Sequence, residues 1–201
     1  DIHQGEFVSV MGPSGSGKTT LLNIRGLLDR PDNGEVIFRG EPVLKYDHDE
    51  SALYRNRNIG FVFQDHLLLP YLTIMENILL PLLASRATEK DHRLKEDEAR
   101  KMMERTGITD IAGKYPWQIT GGEAQRANLV RALVNKPSIL LADEPTGSLD
   151  RKNSEKLGDL LTGMNKDYGI TLILATHSQD LAGRMKIRYS LSEGKLVDGT
   201  N

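Results

Sequence analysis

The sequence predicts an α/β protein. Its core is a mostly parallel sheet, with an inserted helical subdomain and a small antiparallel β portion. Three observations predict this. A glycine-rich loop, GPSGSGKT over 12–19, lies between a β-rich alternating stretch and a helix-like one. Two apolar runs, SILLADE over 138–144 and TLILATH over 171–177, suit parallel strands covered on both faces. Between 65 and about 120 the chain becomes leucine-rich and proline-punctuated, then strongly charged, which reads as helical. The core is therefore placed at 1–64 and 138–201, and the helical subdomain at 65–137.

In chain order, EFVSVM over 6–11 is a buried strand and TTLLNI over 19–24 opens a helix. GEVIFRG over 34–40 is a short strand bracketed by glycines. NIGFVFQ over 58–64 is another, ending in the polar Gln64. A charged helix spans 92–106 and stops at Gly107. Its pairs Glu96/Arg100 and Asp97/Lys101 put an acid four residues before a base, as on an exposed helix face. A helix opens at TGGE over 120–123 and runs to about Asn135, before Pro137. Leu157, Leu160, Leu161 and Met164 recur at helical spacing. The stretch 188–197 is a closing hairpin turning near Glu193 and Gly194.

The loop at 12–19 fits G-x-x-x-x-G-K-[ST], the P-loop pattern, in the strand–loop–helix setting that the motif requires. Gly12, Gly15 and Gly17 let the backbone curl tightly around a ligand. The loop N–H groups then face phosphate oxygens at the positive end of a helix. Lys18 supplies a point charge for β- and γ-phosphates, and the Thr19 hydroxyl is placed to ligate Mg²⁺. Asp143 and Glu144 end a strand whose C-terminal edge should lie beside this loop. The first acid suits Mg²⁺ and the second the attacking water. A glycine turn and two acids at a strand end are ordinary features taken alone; their combination is not.

Composition excludes several classes. A net charge of −2 gives no overall basic field for nucleic acid, so none is expected as a partner. With no cysteine, disulfides and thiolate chemistry are excluded. The longest apolar run, 78–84, is too short for a membrane span and holds a proline. The chain opens without Met directly before a strand, and so reads as a fragment missing its start.

The P-loop, Gln64, ITGGE over 119–123, ILLADE over 139–144, SLD over 148–150 and His177 occur in that order. In this the chain resembles the nucleotide-binding domain of an ABC transporter, over nearly its whole length. The resemblance implies that Gly12, Pro13, Ser14, Gly15, Ser16, Gly17, Lys18, Thr19 and Thr20 bind ATP. It makes Glu144 the general base, and His177 the switch histidine that contacts the γ-phosphate and orients the water. Lys18 and Gln64 join them in the catalytic set. Thr19, Gln64 and Asp143 become the Mg²⁺ residues. Gln64 also links the site to a membrane partner, with the leucine-rich stretch behind it forming part of a groove for a coupling helix. Thr120, Gly121, Gly122, Glu123 and Asp150 serve the ATP of a second subunit, so two ATPs are sandwiched in a head-to-tail dimer.

Three departures stand out. The signature is ITGGE where LSGGQ is common. The family's adenine-stacking aromatic falls before residue 1; Tyr46 and Tyr54 are poorly placed to replace it. Arg25 sits among Leu21, Leu22, Ile24 and Leu28, either facing solvent or at a packing cost.

The expected function is Mg-ATP hydrolysis driving integral membrane permease subunits, as a peripheral protein on the cytoplasmic face of a bacterial inner membrane. GLLDRPDNGEV, LLPYLTIMENILLPLL and LADEPTGSLD are most similar to the lipoprotein-releasing and macrolide-export group. Cell-division ATPases and amino-acid importers are neighbouring alternatives. A soluble ABC protein of DNA repair or translation is a further class. The repair types need a long coiled coil, for which 65–137 is too short and lacks heptads; the translation types usually carry two cassettes. A binding module without catalysis is disfavoured by Glu144 and His177 together.

Overall fold

The structure is a computed structural model that describes residues 1–84 and 89–199, with residues 89–92 described by their backbone alone. Residues 85–88 of the expected helical subdomain, and the last two of the expected core, lie outside the described residues.

Six strands form the main sheet: β1 (Phe7–Met11), β4 (Ile59–Val62), β5 (Ile139–Asp143), β6 (Thr171–Thr176), β7 (Ile187–Ser192) and β8 (Lys195–Asp198). Their spatial order is β4-β5-β6-β1-β7-β8. All neighbours are parallel except the β7–β8 hairpin. The separate pair β2 (Ile37–Phe38) and β3 (Glu41–Pro42) is antiparallel. Side-chain alternation divides the core between the two faces of the sheet. Leu140, Ala142, Leu172 and Leu174 point into one cluster with residues of the helices on that side. Leu141, Ile173 and Ala175 point to the other, with Val10 and Leu22. Strands β5 and β6 thus place apolar residues on both faces of the sheet, as their continuous runs require.

The helices are α1 (Lys18–Arg25), α2 (His48–Asn58), α3 (Ile74–Leu83), α4 (Glu89–Thr106), α5 (Gly121–Leu133), α6 (Arg151–Tyr168) and the short α7 (Gln179–Ala182). Helices α2, α3, α5, α6 and α7 start on side-chain caps, and α2, α3 and α5 carry reciprocal capping boxes from Asp47/Glu50, Thr73/Glu76 and Thr120/Glu123. Helix α1 instead starts at Gly17, whose φ of 98° is left-handed, with no side-chain cap. Its first N–H groups therefore remain available to an anion. Helices α3, α4 and α5 pack on one another, and α5 packs on β4. No helix among the described residues is long and apolar enough to cross a membrane.

Several expected boundaries shift. The expected strand at 34–40 shrinks to two residues, because Gly34, Arg39 and Gly40 all adopt positive φ. Strand β4 ends at Val62, so Gln64 lies two residues beyond it. Helix α4 begins at Glu89, and α5 ends at Leu133. Glu96 and Arg100 meet at 2.7 Å. No ion pair joins Asp97 and Lys101 among the described residues.

Candidate functional site

Strand register sets the site. Met11 pairs with Thr176, and Asp143 with Ala175, so β1, β5 and β6 end on one edge of the sheet. The residues that follow these strands open onto that edge, where open α/β sheets hold ligands. There a cleft of about 660 Å³ is lined by Ser14, Gly15, Gly17, Lys18, Thr19, Thr20, Gln64, Glu144 and His177. Every lining residue is among those expected from the sequence.

The loop is held in shape by its own contacts. Lys18 Nζ donates to the carbonyls of Gly12 at 2.9 Å and Pro13 at 3.0 Å. A Cβ at Gly12 would stand 2.5 Å from the Leu191 carbonyl, so only glycine fits there. Glu144, itself left-handed at φ 44°, lies between two partners. Its Oε1 is 3.8 Å from Lys18 Nζ, and its Oε2 is 2.9 Å from His177 Nδ1. The His177 backbone N–H also donates to Oε2, at 3.2 Å. The carboxylate is nearly buried while the His177 ring is largely exposed. One carboxylate is thus oriented by a cation on one side and an imidazole on the other, at the mouth of a phosphate loop. That arrangement can take a proton from a water placed beside a bound phosphate.

Asp143 sits just behind. Burial raises its carboxyl above the ordinary range, the Thr19 hydroxyl holds it down in part, and the nearby Glu144 charge raises it again. Its Oδ1 is buried with no hydrogen-bond partner. A buried, unpaired carboxylate oxygen beside a hydroxyl is a donor set that suits Mg²⁺. Ser16 Oγ is likewise buried without a partner.

The residues expected to act on a second subunit's ATP form a separate patch. Thr120 and Glu123 cap α5: the Glu123 carboxylate accepts from the Thr120 N–H and hydroxyl, both at 2.8 Å. These bonds hold its carboxyl below the ordinary range. Asn153 joins the rest of the patch. Its Nδ2 donates to Asp150 Oδ2 at 2.7 Å, and its Oδ1 would lie 2.7 Å from a Cβ at Gly122.

The family model described as ABC transporter matches residues 1–147. The chain belongs to the ABC transporter family. This ABC ATPase is 42% identical over 201 residues to the uncharacterized ABC transporter ATP-binding protein YknY of Bacillus subtilis (strain 168), covering all of this chain and 86% of that one. It is 44% identical over 198 residues to the lipoprotein-releasing system ATP-binding protein LolD of Myxococcus xanthus (strain DK1622), covering 98% and 87%. Among solved structures, the dimeric bacterial ABC transporter cassette MJ0796 is similar with a TM-score of 0.85 and 42% identity, over 98% of this chain and 85% of that one. A dimeric, post-hydrolysis state of MJ0796 bound to ADP and Pi also matches with a TM-score of 0.85, at 40% identity over 98% and 87%. The expected P-loop fold and ATP-hydrolysing transporter subunit are thereby borne out.

Arg25 lies away from the ABC ATPase cleft. It is exposed at a second cavity of about 480 Å³, near the opposite ends of β5 and β6, with Tyr54, Ser138 and Thr171. It faces solvent and carries no buried-charge cost. Sequence reading passed over Asn153, and also Gln125, Asn128 and Arg131 of α5. The last three are polar residues at i, i+3 and i+6, on one face of a helix that also carries Glu123 and Arg126.

Proposed function

We propose that the cleft hydrolyses ATP with Glu144 as general base. The supporting observation is the placement of Glu144 within 4 Å of both Lys18 and His177 at the loop mouth. Residues 12–20 cradle the phosphates, and Lys18 neutralises charge on them. Glu144 accepts a proton from water as that water attacks the γ-phosphate, giving ADP and phosphate. His177 orients the carboxylate and the water, and Gln64 reaches the water from the facing loop. Thr19, Asp143 and Gln64 would hold Mg²⁺, which supplies positive charge to the phosphate oxygens when bound.

Thr120, Gly121, Gly122, Glu123 and Asp150 meet the ATP of a second copy, which makes the working unit a head-to-tail dimer. The dimeric state of similar solved cassettes supports this. The partner is an integral membrane permease, reached from the cytoplasmic face of the membrane. Two groups of apolar residues in the stretch after Gln64 support it. Leu68, Ile74, Ile78 and Leu82 are buried, but Leu67, Leu69, Tyr71 and Leu83 stay exposed, Tyr71 to 88%. A partner seated here would cover these exposed apolar side chains. The similarity to LolD favours a permease of the lipoprotein-release type. We divide the chain at 64/65 and 137/138 into core and helical subdomain, on the mutual packing of α3, α4 and α5.

Steady-state kinetics test the base assignment. Glu144→Gln is expected to retain ATP binding and lose turnover by about 10²–10⁴-fold. Lys18→Ala should instead weaken nucleotide binding itself. Substantial turnover by Glu144→Gln would remove Glu144 from the role.

A further inference from the structure

Helix α5 carries Gln125, Asn128 and Arg131 on one face. Gln125 and Asn128 are 1% and 0% exposed. Buried amides are costly unless every polar atom finds a partner, and here each does. Gln125 Nε2 donates to two carbonyls at once: Phe63 at 2.8 Å and Pro145 at 2.9 Å. Phe63 immediately precedes Gln64, and Pro145 immediately follows Glu144. Arg131 donates to His66 O at 2.7 Å and Leu67 O at 2.8 Å, on the far side of Gln64. Asn128 joins the two: its Oδ1 accepts from Arg131 at 3.0 Å, and its Nδ2 donates to Gln125 Oε1 at 3.4 Å and Phe63 O at 3.5 Å. The Gln64 side chain in turn lies against Gly147, where an added Cβ would stand 3.2 Å from Gln64 Cδ.

We propose that Asn128 is a positioning residue for hydrolysis, locking Gln125 and Arg131 into one ladder that holds the Gln64 and Glu144 loops in fixed relation to α5. The proposal rests on the reading of those two residues as catalytic groups. The ladder spans both sides of the cleft. Gln64 is bracketed by Phe63 on the Gln125 side and by His66 and Leu67 on the Arg131 side. A shift of α5 therefore moves all three carbonyl anchors of the Gln64 loop together, and through Pro145 it pulls on the backbone beside Glu144. Because α5 begins at Thr120, anything that engages that end of the helix acts on the cleft through these three side chains.

Asn128→Leu tests this, since it keeps the branched shape and removes both hydrogen-bonding arms. ATPase kinetics and amide hydrogen exchange are measured on the full chain. The expected result is a fall in kcat of about tenfold, with KM for ATP within about twofold of wild type. Exchange should quicken together at 64–67 and 146–147, while the rest of α5 keeps its protection. Asn128→Ala, which adds no bulk, should behave alike and serves if the leucine variant does not fold. Wild-type kcat, or quickened exchange in only one of the two loops, overturns the proposal. So does a loss of kcat that comes with lowered Tm and quickened exchange along all of α5, because Asn128 would then be a packing residue only. Glu144→Gln separates the two readings. If that variant turns over ATP normally, the catalytic assignment fails, whereas the paired exchange response measures the ladder independently.

Discussion

Glu123 puts a negative charge at the start of α5, where the proposed dimer places a γ-phosphate. The carboxylate is tied to the Thr120 hydroxyl and N–H, which stabilises the helix but opposes a second anion. Glu123→Gln keeps the reciprocal cap and removes the charge. It should lower KM for ATP about two- to fivefold, as expected for one charge at a helix N-terminus. A raised KM in a titration of initial rates would contradict this. Thr120→Ala should cost about 1 kcal/mol of stability by chemical denaturation. At Asp143 the sign runs the other way. Its folded carboxyl lies above the ordinary value of 3.8. The charged form therefore costs stability above that value, and the cost disappears as pH falls and the proton binds. The proposed Mg²⁺ site needs the charged form, so apparent affinity for Mg²⁺ should fall as pH drops toward the raised value. Magnesium titrations of ATPase rate from pH 8 to 5 check this, against an Asp143→Asn variant that lacks the dependence.

The elements explain what could be read from the sequence. Strands β1, β5 and β6 were legible because buried parallel strands are apolar on both faces, and the site residues follow them directly. Helix α2 was missed: His48 to Asn58 is almost entirely polar, so no apolar stripe announces it, and only the Asp47/Glu50 capping box does. The α5 ladder was out of reach for another reason. Its acceptors are backbone carbonyls of Phe63, His66, Leu67 and Pro145, and no side-chain pattern shows which carbonyls will lie nearby. The close approach of α5 to β4 was equally hidden. A Cβ on Gly60 would stand 2.4 Å from the Ala132 carbonyl. Gly60→Ala must push β4 and α5 apart, and should cost about 1–3 kcal/mol in urea unfolding. The capping carboxylates Glu76, Glu123 and Asp150 are all held below their ordinary values. Their contribution is full above those values and is lost as pH falls through the lower folded ones. Melting curves should therefore show Tm dropping below about pH 4.

At the scale of the molecule, one edge of the sheet gathers the phosphate loop, Gln64, Glu144 and His177 around one cleft. The second patch, at Thr120, Gly122 and Asp150, is built around Asn153 and is separate from that cleft. In the proposed dimer, another copy brings this patch to the first cleft, and full function requires both surfaces. The exposed Leu67, Leu69, Tyr71 and Leu83 are the apolar surface that the proposed permease would cover. The most direct test of the account is sedimentation velocity of Glu144→Gln with and without Mg-ATP, with bound nucleotide counted. The account predicts a monomer without nucleotide and a dimer holding two ATPs with it. A species that binds ATP fully yet stays monomeric at every protein concentration would contradict the shared site.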